Sequence, residues 1–415
     1  MNGTPEVAIE QHLGFSPQWS DALLEHLRCS ATQEESSLLR EFASIQLAIA
    51  DGRLDDSNAL LDHLLAATEG TLHGSDFVYK HLVQCLVAAG RLHDIAEVIN
   101  RKLHRPGWCE VSFAEAGEID EPSVVCWIVK NRERSSFKLS RSLYGASGVN
   151  RFVSRWLDCI PTLAYYSTSE AYRSGMTLLN LADHGLRPGL AFCDHRAEYH
   201  LIPDPDFLAS LGYRELRRSF AANRVPWERR LGVAFWRGAS VGRYPRGDTD
   251  WRKLPRVRLC ILSQERPELF DVGLHKIAQV ADPGAAAAMM ESGLLKSAVP
   301  HTEFNKYRYQ IDIDGNTNSW SALFIKLLTG SPVLKVTSEV GFRQWYYDLL
   351  RPWVNFVPAA PDMSDLIEKV EWLRDHDDRA RRIGERGLEL AESLSYESET
   401  KRCAATFAAG LMQAG

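Results

Sequence analysis

Between residues 230 and 360 short apolar runs alternate with amphipathic stretches, each run ending in a polar or glycine-bearing turn. This rhythm constrains the chain more than any other feature. Gly232-Val233-Ala234-Phe235-Trp236 ends at Arg237-Gly238, and Leu254–Glu265 carries a helical pattern. Leu269–Val272 and Arg308–Ile313 read as strands, Ser319–Leu328 as a helix closed by Gly330, and Pro332–Val336 and Val354–Pro358 as further strands. Buried strands separated by single helices form layered α/β domains. Asp362-Met363-Ser364-Asp365 opens another helix whose Leu366, Val370 and Leu373 share a face.

Upstream the pattern is similar but less regular. Ser123–Lys130 and Gly189–Cys193 read as strands, and 147–157 and 169–184 as helices. Residues 1–105 read as wholly helical. Ala50–Asp56 recurs as Ala88–Asp94, an offset of 90 − 52 = 38 residues between Gly52 and Gly90. Helix, glycine turn and helix at such a period is the layout of tetratricopeptide-like hairpins. The expected organisation is a helical block at 1–105, an α/β domain at 106–229, a second at 230–395 and a terminal helix at 396–415. Two α/β domains in tandem predict a ligand in a cleft between them.

Composition narrows the class. The 415 residues include 48 Lys plus Arg against 54 Asp plus Glu, a net charge of −6, which argues against a nucleic-acid binder. No run is long and apolar enough to span a membrane, and the first residues lack the layout of a secretory signal. Eight scattered cysteines without a C-x-x-C pair suit reduced thiols. A cytoplasmic protein is expected, with a peripheral seat on the cytoplasmic face of the membrane compatible with the sequence.

Three constellations can carry chemistry. Arg237 and Gly238 end an apolar strand and lead through Ala239 to Arg243, Arg246, Arg252, Lys253, Arg256 and Arg258, cations suited to a phosphate-bearing ligand or, for Arg243 and Arg246 above all, to a solvated basic loop. Asp312-Ile313-Asp314-Gly315-Asn316-Thr317-Asn318-Ser319 runs directly into a helix, whose first N–H groups and dipole suit a diphosphate. The same stretch reads equally well as N-capping by Asn318 or Ser319. Strand alternation puts Asp312 and Asp314 on one face, where a D-x-D pair can ligate a divalent metal. Asp194, at the end of the Gly189–Cys193 strand, can act as a general base or serve structure alone.

Taken in order, Phe235-Trp236-Arg237-Gly238, Arg256-x-x-Leu259, Lys306–Tyr309, Ile311–Asn316, Gly330–Lys335, Leu350–Val354 and Ser364–Leu366 resemble glycosyltransferase family 90 over about 160 to 395. The resemblance implies a GT-B architecture with two Rossmann-like domains. It also implies inverting, metal-independent transfer of glucose or xylose from a UDP-sugar, which is a substrate and not a cofactor. A glycan, lipopolysaccharide or protein hydroxyl would be the acceptor. By position it makes Asp194 the catalytic carboxylate and Arg256 the arginine on the donor diphosphate. Gly238, Ala239 and the loop from Asp314 through Gly315, Asn316 and Asn318 to Ser319 would line the donor side, with Arg237 beside them. Trp320-Ser321-Ala322 stands where animal members carry an arginine, Gln344 where many carry an acid and Asn355 where many carry histidine. The competing expectation is a non-enzymatic protein that docks a partner through its helical repeats, with a degenerate transferase domain.

Overall fold

A computed structural model describes residues 45, 48, 53–67, 76–115, 119, 124–131, 134–143, 151–244, 248–280, 282–337 and 339–411. Gly52 and the start of the first repeat copy lie outside them. The chain divides into two compact units. One gathers the described residues up to Ala191, Glu198–His200 and those from Thr400; the other holds Phe192–Ala197 and Leu201–Glu399. Residues 201–229, read from sequence with the first α/β domain, thus fall in the second unit. Among the described residues no helix is long and apolar enough to cross a membrane.

The first unit opens with helices α1 (Leu54–Ala67), α2 (Asp76–Ala89) and α3 (Leu92–Lys102), followed by β1 (Cys109–Phe113), β2 (Val124–Asn131), β3 (Arg134–Leu139), α4 (Arg151–Tyr166), β4 (Gly175–Asn180), β5 (Gly189–Ala191) and β6 (Tyr199–Leu201). The strand order is β1-β3-β2-β4-β5-β6. It is a mixed sheet: β1–β3 and β4–β5 are parallel, while β2 runs antiparallel to both β3 and β4. The hairpin β2–β3 departs from the Rossmann-like layout expected here. The helix expected over 169–184 is β4 instead. Its Leu, Met and Ala read as helix formers, but Gly175, Thr177 and Leu179 alternate into the buried face, and the sheet overrides propensity. In this unit's core Phe137 packs edge to face on Trp156 and meets Trp108 at a tilt.

The second unit continues through α5 (Pro205–Ala209), α6 (Arg214–Ala222), β7 (Leu231–Ala239), α7 (Pro255–Glu265), β8 (Phe270–Lys276), α8 (Pro283–Glu291), β9 (Tyr307–Ile313), α9 (Ser321–Leu328), β10 (Val333–Val336), β11 (Val357–Ala359), α10 (Leu366–Asp375) and α11 (Asp377–Ser393), with α12 (Tyr396–Ala409) after it. The order is β11-β10-β9-β7-β8, every pairing parallel. The sequence rhythm is therefore realised as a doubly wound sheet, with Leu366, Val370 and Leu373 of α10 in its core. The last strand begins at Val357, because Trp353 adopts φ +62° and the chain turns there.

Candidate functional site

In this sheet the chain reverses its direction of travel between β7 and β9. The carboxyl ends of the strands at such a switch point form a crevice in which doubly wound sheets bind ligands. Arg256, in the first turn of α7, reaches that point. Its Nε donates to the Asp314 carbonyl at 3.2 Å, Nη1 to the Ala239 carbonyl at 3.3 Å and Nη2 to the Ile313 carbonyl at 3.3 Å. The half-buried guanidinium also lies 5.8 Å from the Trp236 ring, a cation–π distance. Burial lowers its pKa, yet arginine stays protonated. A Cβ on Gly315 would lie 3.2 Å from Nη2, so glycine here allows the cation its close approach. Gly238 has a different reason: a Cβ there would stand 2.4 Å from the Trp236 ring.

Beside the arginine lies a buried cluster of four charges. Asp312 accepts from Lys326 Nζ at 2.8 Å, from Lys335 Nζ at 3.0 Å and from Ser319 Oγ at 2.8 Å. Asp314 accepts from Lys335 Nζ at 2.9 Å. Burial alone would raise Asp312, but the two ammonium groups hold its carboxyl well below the usual range. Asp312 and Asp314, read from sequence as metal candidates, are thus engaged by lysine. The bond from Ser319 also ties the entry of α9 to the end of β9.

The connecting loop carries signs of a site. Asn316 Nδ2 donates to Gln279 Oε1 at 2.7 Å, and Asn318 Oδ1 accepts from the Trp320 N–H at 2.8 Å. Asn318 is buried, yet its Nδ2 has no partner among the described residues. An unsatisfied buried donor is uncommon and asks for a polar partner. Trp320 precedes α9 at φ +52° and ψ −133°, backbone strain of the kind that concentrates at functional sites.

Other expected members do not join. Strand alternation sends Arg237 to the face opposite Trp236. There it lies 5.1 Å from the Phe235 ring and donates to Asp271 Oδ1 at 2.9 Å. Lys296 Nζ and Tyr307 Oη also reach Asp271, and despite partial burial these partners hold its carboxyl at about 2. Arg258 points away as well, donating to the Asp362 carbonyl at 2.9 Å.

Asp194 occupies an unexpected setting. Its side chain is fully buried, and Arg196 forks onto it with Nε on Oδ1 and Nη2 on Oδ2, both at 2.9 Å. The His195 and Arg196 N–H groups add bonds to Oδ1, and the backbone bridges to Arg343. Asp183, which sequence reading passed over, follows β4 with 26% of its side chain exposed and accepts from Arg155 at 2.9 Å. Misreading 169–184 as helix hid its place beyond a strand end.

A doubly wound unit with an arginine and a glycine loop at its switch point has the architecture by which α/β proteins hold phosphorylated ligands. The profile of glycosyl transferase family 90 matches residues 188–399, and the chain belongs to that family. Among its relatives, Uncharacterized protein 035R of Invertebrate iridescent virus 3 is 29% identical over 40% of this chain and 15% of its own length. Protein O-glucosyltransferase 2 of Danio rerio is 29% identical over 40% of this chain and 30% of its own. The chain thus spans under a third of either relative. The solved structure of Anabaena HepE in complex with UDP-glucose aligns over 48% of this chain and 52% of its own, at 12% identity and a TM-score of 0.31.

Proposed function

We propose that this chain transfers a glycosyl group, glucose or xylose, from a UDP-sugar to a hydroxyl of a glycan, lipopolysaccharide or protein acceptor, with inversion and without a metal. The observation that carries the reading is Arg256 seated across the ends of β7 and β9. Family membership and the name of the Danio rerio relative support glucosyl transfer.

In this reaction the acceptor oxygen attacks the anomeric carbon from the face opposite the nucleotide. The bond to the UDP oxygen breaks, and the acceptor proton passes to a carboxylate. Charge growing on UDP is met by Arg256 and by the N–H groups at the entry of α9. Holding donor and acceptor in line supplies much of the remaining rate.

The family register gives the base to Asp194. A second reading, Asp183, is favoured by exposure: a base must come within hydrogen-bond reach of the hydroxyl it deprotonates, and Asp183 is the accessible carboxylate of the two.

A panel of UDP-sugars screened by thermal shift, followed by UDP release in the presence of acceptors, tests the function. Stabilisation by at least one UDP-sugar and acceptor-dependent UDP release are expected. Absence of both would overturn the reading in favour of a non-enzymatic role.

A further inference from the structure

Lys335 on β10 is the register neighbour of Asp312 on β9. Its Nζ lies 3.0 Å from Asp312 Oδ2 and 2.9 Å from Asp314 Oδ1, with 8% of the side chain exposed. We propose that Lys335 is a positioning residue for the nucleotide-sugar donor: by bridging the two carboxylates it cancels their charge beneath the glycine loop and keeps Asp314 away from Arg256. This rests on the donor reading given above.

The charges at the switch point explain why a cation is needed there. Asp312 and Asp314 contribute two negative charges, Lys326 and Lys335 two positive ones, and Arg256 one more. The balance is one positive charge where a diphosphate is to bind. Without Lys335 it falls to zero, in a setting where burial makes charge matter. Geometry adds a second consequence. The Asp314 carbonyl already accepts from Arg256, so a carboxylate released from Lys335 is close enough to pair with that guanidinium and compete with the donor.

The state of Asp314 supplies the diagnostic. The groups that face it are Lys335 of β10, Asp312 of β9, Arg256 of α7, Tyr347 and Cys193. Burial and Asp312 push its carboxyl up against the pull of Lys335. Removing the ammonium moves that titration toward neutral pH. A variant lacking Lys335 should therefore bind UDP better when Asp314 is protonated, and worse as the pH rises.

Calorimetry on the full chain, with UDP as the probe at pH 6 and pH 8, tests this in wild type, Lys335→Met, Lys335→Arg and the double variant Lys335→Met/Asp314→Asn. For Lys335→Met the Kd should rise at least about tenfold at pH 8 and less at pH 6. Lys335→Arg should recover part of the affinity. The double variant, having lost both charges, should bind within a few-fold of wild type, a recovery that a merely structural lysine would not show. UDP binding by Lys335→Met equal to wild type at both pH values would overturn the proposal and leave the donor reading intact. Wild type that fails to bind UDP would overturn both. If Lys335→Met does not fold, the double variant decides: one that folds without recovering affinity contradicts the proposal.

Discussion

Arg256 Nε lies 3.2 Å from the backbone oxygen of Asp314, a bond that fixes the start of α7 to the end of β9. Two further bonds from the same guanidinium go to Ile313 and Ala239, so one side chain joins both strands of the switch point. A planar group with several N–H donors suits this task, and an ammonium does not.

The identity of the base divides between two acids. Asp183→Asn should lower turnover at least about a hundredfold with little change in UDP affinity, the scale of general-base loss. Asp194→Asn breaks the fork with Arg196 and should lower the melting temperature as well as activity. Single-turnover rates and thermal melts on both variants separate the roles. Turnover unchanged in Asp183→Asn would return the base to Asp194.

Activity should survive chelation. Lys326 and Lys335 occupy both carboxylate oxygens of Asp312 and Oδ1 of Asp314. Rates measured after exhaustive EDTA treatment should match untreated enzyme. Loss restored by manganese would show that a metal displaces the lysines during turnover.

Arg237 belongs to the fold and not to the donor. Arg237→Ala strands Asp271 with two of its side-chain partners and removes packing against Phe235. Melting temperature should fall by several degrees, on the order of 1–2 kcal/mol, while UDP affinity stays within a few-fold. A large affinity loss without destabilisation would put Arg237 back on the donor.

Much of this was legible in the sequence. Parallel strands with one helix between them announce themselves, because a strand buried on both faces is an unbroken apolar run, as in Pro332–Val336. Spacing along one helix also separates Arg256 from Arg258. What remained hidden depends on partners distant in sequence. The turn through Arg237 reads as a cluster of cations until Asp271, 34 residues on, is seen to claim one of them. The lysines that engage Asp312, Lys326 and Lys335, likewise arrive from α9 and β10, 14 and 23 residues on. Asp194 gave no sign that Arg196, two residues on, would turn back onto it.

Asp204 offers a pH test. It caps α5 by accepting from the Phe207 N–H, accepts from Tyr213 and Gln344, and is fully buried. Burial, with Asp206 nearby, pushes its carboxyl up to about 7. The folded state therefore favours the proton, and this group's contribution to stability falls as pH rises from about 4 to about 7. Asp204→Asn keeps an N-cap oxygen, and the unpartnered Gln344 Oε1 can accept from the new amide. Urea titrations should find the variant more stable than wild type at pH 8, with the gain shrinking toward pH 5. A gain independent of pH would contradict the assignment.

The most direct measurement of the central claim is UDP binding and turnover in Arg256→Ala, Arg256→Lys and Arg258→Ala. Loss of the Arg256 fork should remove about 2–4 kcal/mol of transition-state stabilisation, with a smaller loss of UDP affinity, because charge grows on UDP as the glycosidic bond breaks. Lysine at 256 should restore little of it. Arg258, bonded to the Asp362 carbonyl instead, should be nearly silent as alanine. Wild-type-like binding and turnover in Arg256→Ala, or a crippled Arg258→Ala beside a normal Arg256→Ala, would contradict a donor site at the ends of β7 and β9.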